Sequence, residues 1–314
     1  MKQSFEDVLR HMIHDGCNPI CVISDFFLGW TLESCRSFNI PRIVFHGMGV
    51  ISMVVCKSPP LHVPSIKDLS LLNPIEFSEL TNIPFTLKKC DILEGLLDSD
   101  PNDPTLGILL ELGEADVNSG GVIFNSFEEI EGDYMAALES FYCNEGKAYC
   151  VGSALLYDDQ VDAEDHQSYS YIKWLDNQVG LSGVIYVSFG TQTHLSNDQM
   201  DEIAFGLERA GHPFIWAVRS SSWAPPNGWN ERVKDKRVGA GLMVPQRGVG
   251  GEKIMTVNRG VICERVKELM GGQKGRKVKE RAQELGKMAR HAVEKGGSCK
   301  KLDELIERLS NKNM

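Results

Sequence analysis

Asp25 closes the apolar run Ile20-Cys21-Val22-Ile23, and three large aromatics, Phe26, Phe27 and Trp30, follow it. In an open α/β sheet, ligands bind outside the carboxyl ends of the strands. A carboxylate at such an end can accept the Nδ1–H of a histidine and hold that imidazole as a base. The same carboxylate can instead cap the following helix or stand as a plain loop acid, and spacing alone does not choose between these roles. A second candidate is the run Tyr186-Val187-Ser188-Phe189-Gly190-Thr191-Gln192, where a β pattern ends in small residues shortly before a helix signal at Ser196. Gly190 would let a ligand approach the backbone, Thr191 offers a hydroxyl and an N–H, and the positive end of the following helix favours phosphate oxygens. Read by itself, that run is equally an ordinary strand-to-helix loop.

Other chemistry-bearing patterns are weaker. GMGVIS at 47–52 has G-x-G after a strand, but Ser52 stands where the third glycine of a dinucleotide fingerprint belongs. GVGGEK (248–253) and GGQKGRK (271–277) resemble phosphate loops without the spacing G-x-x-x-x-G-K-[ST]. His46, His194 and His212 are isolated, with no spacing that would bind a metal, although His194 lies close to the 188–192 loop. No G-x-S-x-G nucleophile elbow occurs.

The elements that must carry these residues alternate between strand and helix. Residues 19–24, 41–45, 121–126 and 147–152 read as strands, and 31–38, 47–55, 105–116 and the run beginning FEEIEGDYMAALESF as helices. Five prolines between 58 and 86 make that stretch loop with at most a short helix. SALLYDDQVDAEDHQSYS (153–170) is acidic and reads as a linker, after which the alternation restarts. IKWLDNQ is a short helix, GVIYVSFG a strand, SNDQMDEIAFGLERAG a helix with Ser196 as N-cap and Gly211 at its end, and PFIWAVR a strand. Residues 220–253 read as irregular. The tail from about Arg259 is helical, with breaks at Gly271-Gly272 and Gly296-Gly297. The expected fold is therefore α/β in two domains, 1–152 and 171–314, each a mainly parallel sheet flanked by helices.

Composition narrows the partners. A formal net charge of -10 argues against a nucleic-acid partner, and the basic tail is interleaved with Glu280, Glu284 and Glu294 as on a solvated helix face. No apolar run approaches the roughly 20 residues of a transmembrane helix, and the N-terminal stretch lacks the apolar core of a secretory signal. Nine cysteines without a C-x-x-C pair fit reduced thiols and a cytoplasmic setting.

Taken in order, these segments resemble the plant UDP-dependent glycosyltransferases of family 1. CVISDFFLGWTLESCRSFNIPRIVFHG is similar to the acceptor-domain segment with the family's aspartate, and GVIFNSFEEIE to its next strand and helix. YIKWLDNQVGLSGVIYVSFGTQTHLSNDQMDEIAFGLERAGHPFIWAVR is similar to the opening of the nucleotide-sugar domain, and ELGKMARHAVEKGGSCKKLDELIERL to its closing helices. The resemblance implies a GT-B-like pair of facing Rossmann-like domains, both incomplete here. It implies transfer of a sugar, usually glucose, from a UDP-sugar to a hydroxyl of a small molecule such as a phenolic or flavonoid. The UDP-sugar is then a co-substrate, and neither cofactor nor metal is expected. In that scheme Asp25 holds a base histidine, Phe27 lines the acceptor site, and Ser188, Gly190 and Thr191 contact the donor.

Two departures qualify what the resemblance implies. The family's base lies in a His-x-x-P type segment well before its aspartate, and nothing upstream of residue 18 resembles it, so an N-terminal truncation is expected. The donor-binding box, running from W-x-P-Q through H-C-G-W-N-S, is also missing, and no histidine occurs between His212 and His291. Trp223-Ala224-Pro225 and Gly228-Trp229-Asn230 imitate parts of that box but precede ERVKDKRV, whereas the box should follow it. An internal deletion near Val238-Gly239 is the expectation. Weak or absent turnover follows, with a non-catalytic small-molecule-binding protein, or one that pairs with an intact relative, as the alternative.

Overall fold

The computed structural model describes the chain except residues 67, 81, 82, 84, 93–103, 144, 145, 158–169, 179–182, 191–194, 219–222, 235, 236, 239–255 and 312–314. It divides into two compact units, Met1–Asp159 with Gly286–Met314, and Gln160–Leu285.

The first unit is built on four parallel strands: β1 (Val22–Asp25), β2 (Arg42–His46), β5 (Gly121–Phe124) and β6 (Lys147–Cys150), side by side in the order β1-β2-β5-β6. Asp25 lies opposite Phe45, which in turn lies opposite Ile123, and Phe124 lies opposite Cys150. Every residue of β5 is buried, as its unbroken GVIF pattern requires of an inner parallel strand. One face of the sheet packs Val44, Val122, Phe124 and Ala148 against Val50, Met53, Val54 and Leu138. On the other face Ile43, Ile123 and Tyr149 meet Leu305 and Leu309 of the C-terminal helix Gly297–Asn311. That helix is fastened by Ser298 Oγ donating to the Gly152 carbonyl (2.5 Å) and Arg308 Nη1 donating to the Tyr149 hydroxyl (3.2 Å). The sequence grouped this tail with 171–314. Packing assigns Gly286–Met314 to the first unit instead, because the apolar stripe of the last helix fits the apolar back of β5 and β6.

One local reading gains detail and two need correction. The proline-rich stretch holds a helix at Pro59–Ile66 and a small antiparallel pair, β3 (Pro74–Ile75) with β4 (Leu87–Lys88). Pro59 and Pro60 sit in the first turn, where a missing N–H costs nothing. The helix expected from Phe127 is broken into Glu128–Glu131 and Met135–Glu139 by a tight turn at Gly132–Tyr134. The region after 220 contains the helix Trp229–Arg232 and the strand β9 (Arg237–Val238).

The second unit has three parallel strands in the order β7-β8-β9, where β7 is Ile185–Ser188 and β8 is Phe214–Ala217. The helix Asn197–Ala210 starts at Ser196, whose Oγ accepts the Gln199 N–H (3.2 Å), and ends at Gly211 with φ 75°. Both caps follow from residue type: the hydroxyl satisfies an orphan N–H, and glycine takes the left-handed turn. Phe214, Trp216, Trp223, Trp229 and Val233 pack against Met200, Ile203, Ala204 and Leu207 of that helix. Trp223 Nε1 donates to Asp201 Oδ1 (2.8 Å) and Trp229 Nε1 to the Ala204 carbonyl (3.0 Å). The two tryptophans that imitate a donor box are thus core residues of this unit.

Candidate functional site

Asp25 ends β1 with an exposed side chain. Its Oδ1 accepts the Phe27 N–H (2.8 Å), which folds the next residues into a turn and leaves the Phe27 ring 69% exposed. Its Oδ2 has no hydrogen-bond partner among the described residues, and no imidazole bonds to Asp25 there. The Phe26 ring turns the other way, edge-on to Phe27 (5.3 Å) and 5.2 Å from the His46 ring. The β1 end therefore presents an open carboxylate oxygen and an exposed aromatic ring side by side.

His46, one residue past the register partner of Asp25, serves a buried cluster rather than this carboxylate. It is 2% exposed and stacks on Phe124 (5.4 Å between centroids). Its Nε2 lies 3.1 Å from Asp116 Oδ1, while Lys57 Nζ donates to Asp116 Oδ2 (2.6 Å) and the Tyr142 hydroxyl spans both carboxylate oxygens (2.9 and 3.0 Å). Burial by itself would raise the Asp116 pKa. The His46 hydrogen bond and the Lys57 charge outweigh burial and hold the carboxyl below its usual range. Burial, then the neighbouring Asp116 charge, pushes the Tyr142 hydroxyl far above its ordinary value. Because Asp116 is ionised, His46 Nε2 must carry the proton it shares. Asp116 is the residue that sequence reading missed. The available signal was a carboxylate four positions after Leu112, a leucine of the helix Pro104–Val117 that packs close to Gly29.

The GMGVIS stretch is filled by the protein itself. The helix Val50–Lys57 begins after Gly49, and the Ile51 N–H donates to Glu131 Oε1 (3.1 Å). A Cβ on Gly49 would lie 2.4 Å from that oxygen, so the glycine makes room for a buried carboxylate on the helix N-terminus. No anion is needed there. In GGQKGRK, a Cβ on Gly275 would lie 1.9 Å from the Leu269 carbonyl, so that glycine allows two helices to meet closely. GVGGEK lies outside the described residues.

In the second unit, Ser188 ends β7 and is exposed. Gly190 has φ +70°, its N–H points toward Ser188 Oγ (3.5 Å), and nothing lies within 4 Å of where a Cβ would be. Among the described residues nothing obstructs the approach of a ligand to this backbone. Thr191 and His194 lie outside the described residues. The helix that follows carries its own cap, Ser196, and an acid in its first turn, Asp198, so part of its anion-binding capacity is already used. Among the described residues no group of three or more His, Cys, Asp or Glu side chains gathers into a metal site, and no helix is long and apolar enough to cross a membrane. All nine cysteines are free thiols.

No protein-family model matches the chain. It is similar to UDP-glycosyltransferase 73B3 of Arabidopsis thaliana, 30% identical over 380 positions that cover 98% of this chain and 77% of that protein. UDP-glycosyltransferase 90A2 of the same plant is 29% identical, with 92% of this chain and 74% of that protein covered. The scopoletin glucosyltransferase of Nicotiana tabacum is 30% identical across 74% of this chain and 49% of its own length. Among solved structures, Glycyrrhiza uralensis UGT73P12, complexed with glycyrrhetinic acid 3-O-monoglucuronide, superposes with a TM-score of 0.79 at 21% identity, covering 98% and 76% of the two chains. Phytolacca americana UGT2, complexed with UDP-2fluoro-glucose and pterostilbene, gives 0.73 at 23% identity, covering 98% and 80%. These likenesses show an α/β fold of the GT-B class. The aligned span with 73B3 is longer than the 314 residues of this chain, so positions of the relative inside the matched span have no counterpart here.

Proposed function

Because the chain belongs to the UDP-glycosyltransferase family, as 30% identity across 77% of UDP-glycosyltransferase 73B3 shows, we propose that it takes a small phenolic acceptor at the loop bearing Asp25 and Phe27, and a UDP-sugar at the loop bearing Ser188, Gly190 and Thr191. The reaction is transfer of a hexose, glucose first, to an acceptor hydroxyl, with the UDP-sugar as co-substrate and no metal. The observation that carries this reading is the open Oδ2 of Asp25 beside the exposed Phe27 ring at the carboxyl end of β1. A carboxylate so placed orients a base, and an exposed aromatic stacks on a planar phenol.

Turnover by the 314-residue chain is low in this reading. Asp25 has no imidazole to orient among the described residues, and loss of a positioned base removes about 10²–10⁴ in rate. The matched span also omits internal positions of the relatives, and the sequence has no histidine between His212 and His291 for the donor diphosphate. Each lost charged or hydrogen-bonded donor contact costs about 2–5 kcal/mol.

A second reading is non-catalytic: acceptor binding, or pairing with an intact relative in the cytosol. It is favoured by the edge strands β1 and β7, which leave Ile23 56% and Tyr186 68% exposed. Calorimetry with scopoletin and with UDP, beside a product assay with UDP-glucose, tests both. Acceptor binding with little UDP binding and little product is the expected result. Transfer at the rate of an intact relative would overturn the low-turnover claim, and absence of acceptor binding would overturn the role given to Asp25 and Phe27.

A further inference from the structure

Arg42 opens β2, yet its side chain is 2% exposed and no carboxylate among the described residues bonds to it. Its guanidinium runs beneath the turn that follows β1. Nε donates to Ser24 Oγ (2.8 Å) and Thr31 Oγ1 (2.9 Å). Nη1 donates to Ser119 Oγ (2.9 Å) and the Ala115 carbonyl (3.3 Å). Nη2 reaches the carbonyls of Asp25 (3.1 Å) and Leu28 (3.5 Å). Burying a cation among neutral acceptors is costly, and burial lowers the Arg42 pKa, with the Asp116 charge only partly opposing it. An aliphatic side chain would serve the core better. What the guanidinium alone supplies is a rigid planar fork with donors on three nitrogens.

Those donors grip both sides of one short segment. Ser24 and the Asp25 carbonyl lie before the turn, and the Leu28 carbonyl and Thr31 lie after it. Ala115 and Ser119 anchor the other edge of the fork at the end of the helix Pro104–Val117. The Asp25 backbone is therefore held from below while its side chain caps Phe27 from above. We propose that Arg42 is a positioning residue, which fixes the 25–31 turn so that the Asp25 carboxylate and the Phe27 ring present one geometry to an acceptor.

The acceptor half of this statement rests on the function proposed above, and two separate measurements keep the two apart. Arg42→Lys keeps the charge and loses the fork; Arg42→Met keeps the stem and loses both. Amide hydrogen exchange of each variant, compared with the unaltered chain, reads the turn directly. Exchange at residues 25–31 should rise at least tenfold in both variants while β5 stays unchanged. Equal exchange at the turn, or a uniform rise across the whole unit, overturns the proposal, because a merely structural arginine would loosen everything together. Calorimetry with scopoletin gives the second reading: affinity falls at least tenfold in Arg42→Lys while the urea transition remains cooperative. A variant with a loosened turn but unchanged scopoletin affinity overturns the link to the acceptor. If the unaltered chain does not bind scopoletin, the functional reading fails, and hydrogen exchange still decides whether Arg42 holds the turn.

Discussion

Asp116→Asn removes one charge and almost no volume from the first unit, and its cost can be worked from the contacts. The carboxylate is 1% exposed and is bonded by His46, Lys57 and Tyr142. At 2.6 Å and an effective dielectric of about 20, the attraction to Lys57 is about 6 kcal/mol before desolvation is counted. Desolvation offsets part of that, but asparagine leaves Lys57, 11% exposed, without its counter-ion. Breaking a buried pair in this way costs about 3–5 kcal/mol. With a urea slope of about 1–3 kcal/mol per molar, the unfolding midpoint of the unit should fall by at least about 1 M. The pH dependence has a definite sign. The folded pKa of Asp116 is depressed, so its contribution is complete above the unfolded value of about 3.9 and is lost as pH falls through the folded value. The gap between the two proteins should hold constant from pH 7 to about 5 and close below about 4. The double replacement Asp116→Leu with Lys57→Met should recover only part of the loss, since the apolar pair carries no desolvation cost but His46 Nε2 and the Tyr142 hydroxyl lose their buried acceptor. An Asp116→Asn midpoint unchanged at pH 7, or a gap that widens in acid, would refute the reasoning.

Three further outcomes follow from packing and burial. Gly206→Ala should destabilise the second unit by about 1–2 kcal/mol despite alanine's better helix propensity, because the new Cβ would lie 2.6 Å from Cγ2 and 2.7 Å from Cβ of Ile262, a stiff β-branched side chain; adding Ile262→Ala, which keeps that Cβ, should leave the Gly206→Ala effect destabilising in thermal unfolding. Leu305→Ala should cost the first unit about 2–5 kcal/mol in urea unfolding, since it empties a site against Ile43, Ile123 and Tyr149 on the back of the sheet. Thiol labelling of the native chain at pH 8 should modify the exposed Cys17, Cys90 and Cys143 and spare Cys35 and Cys150, whose pKa values burial pushes up to about 11 and about 12; mass spectrometry of labelled peptides reads this directly.

Local chemistry was enough for much of this protein. The buried strand at 121–124, the Ser196 and Gly211 caps, and the breaks at Gly271-Gly272 and Gly296-Gly297 are all readable from residue type and period, because each is decided by neighbours a few positions away. The end of β1 at Asp25 was readable for the same reason, as was the αL-compatible Gly190 after β7. Tertiary structure decided what those residues touch. Only packing shows that the last helix belongs with the first sheet, that the tryptophans at 223 and 229 fill a core, and that Glu131 rather than a ligand occupies the helix start after Gly49. Asp116 meets His46 across 70 positions, and Arg42 meets Ser119 across 77. Such pairings leave no local signature, since the low dielectric that makes a buried charge seek its partner exists only after the chain has closed around both.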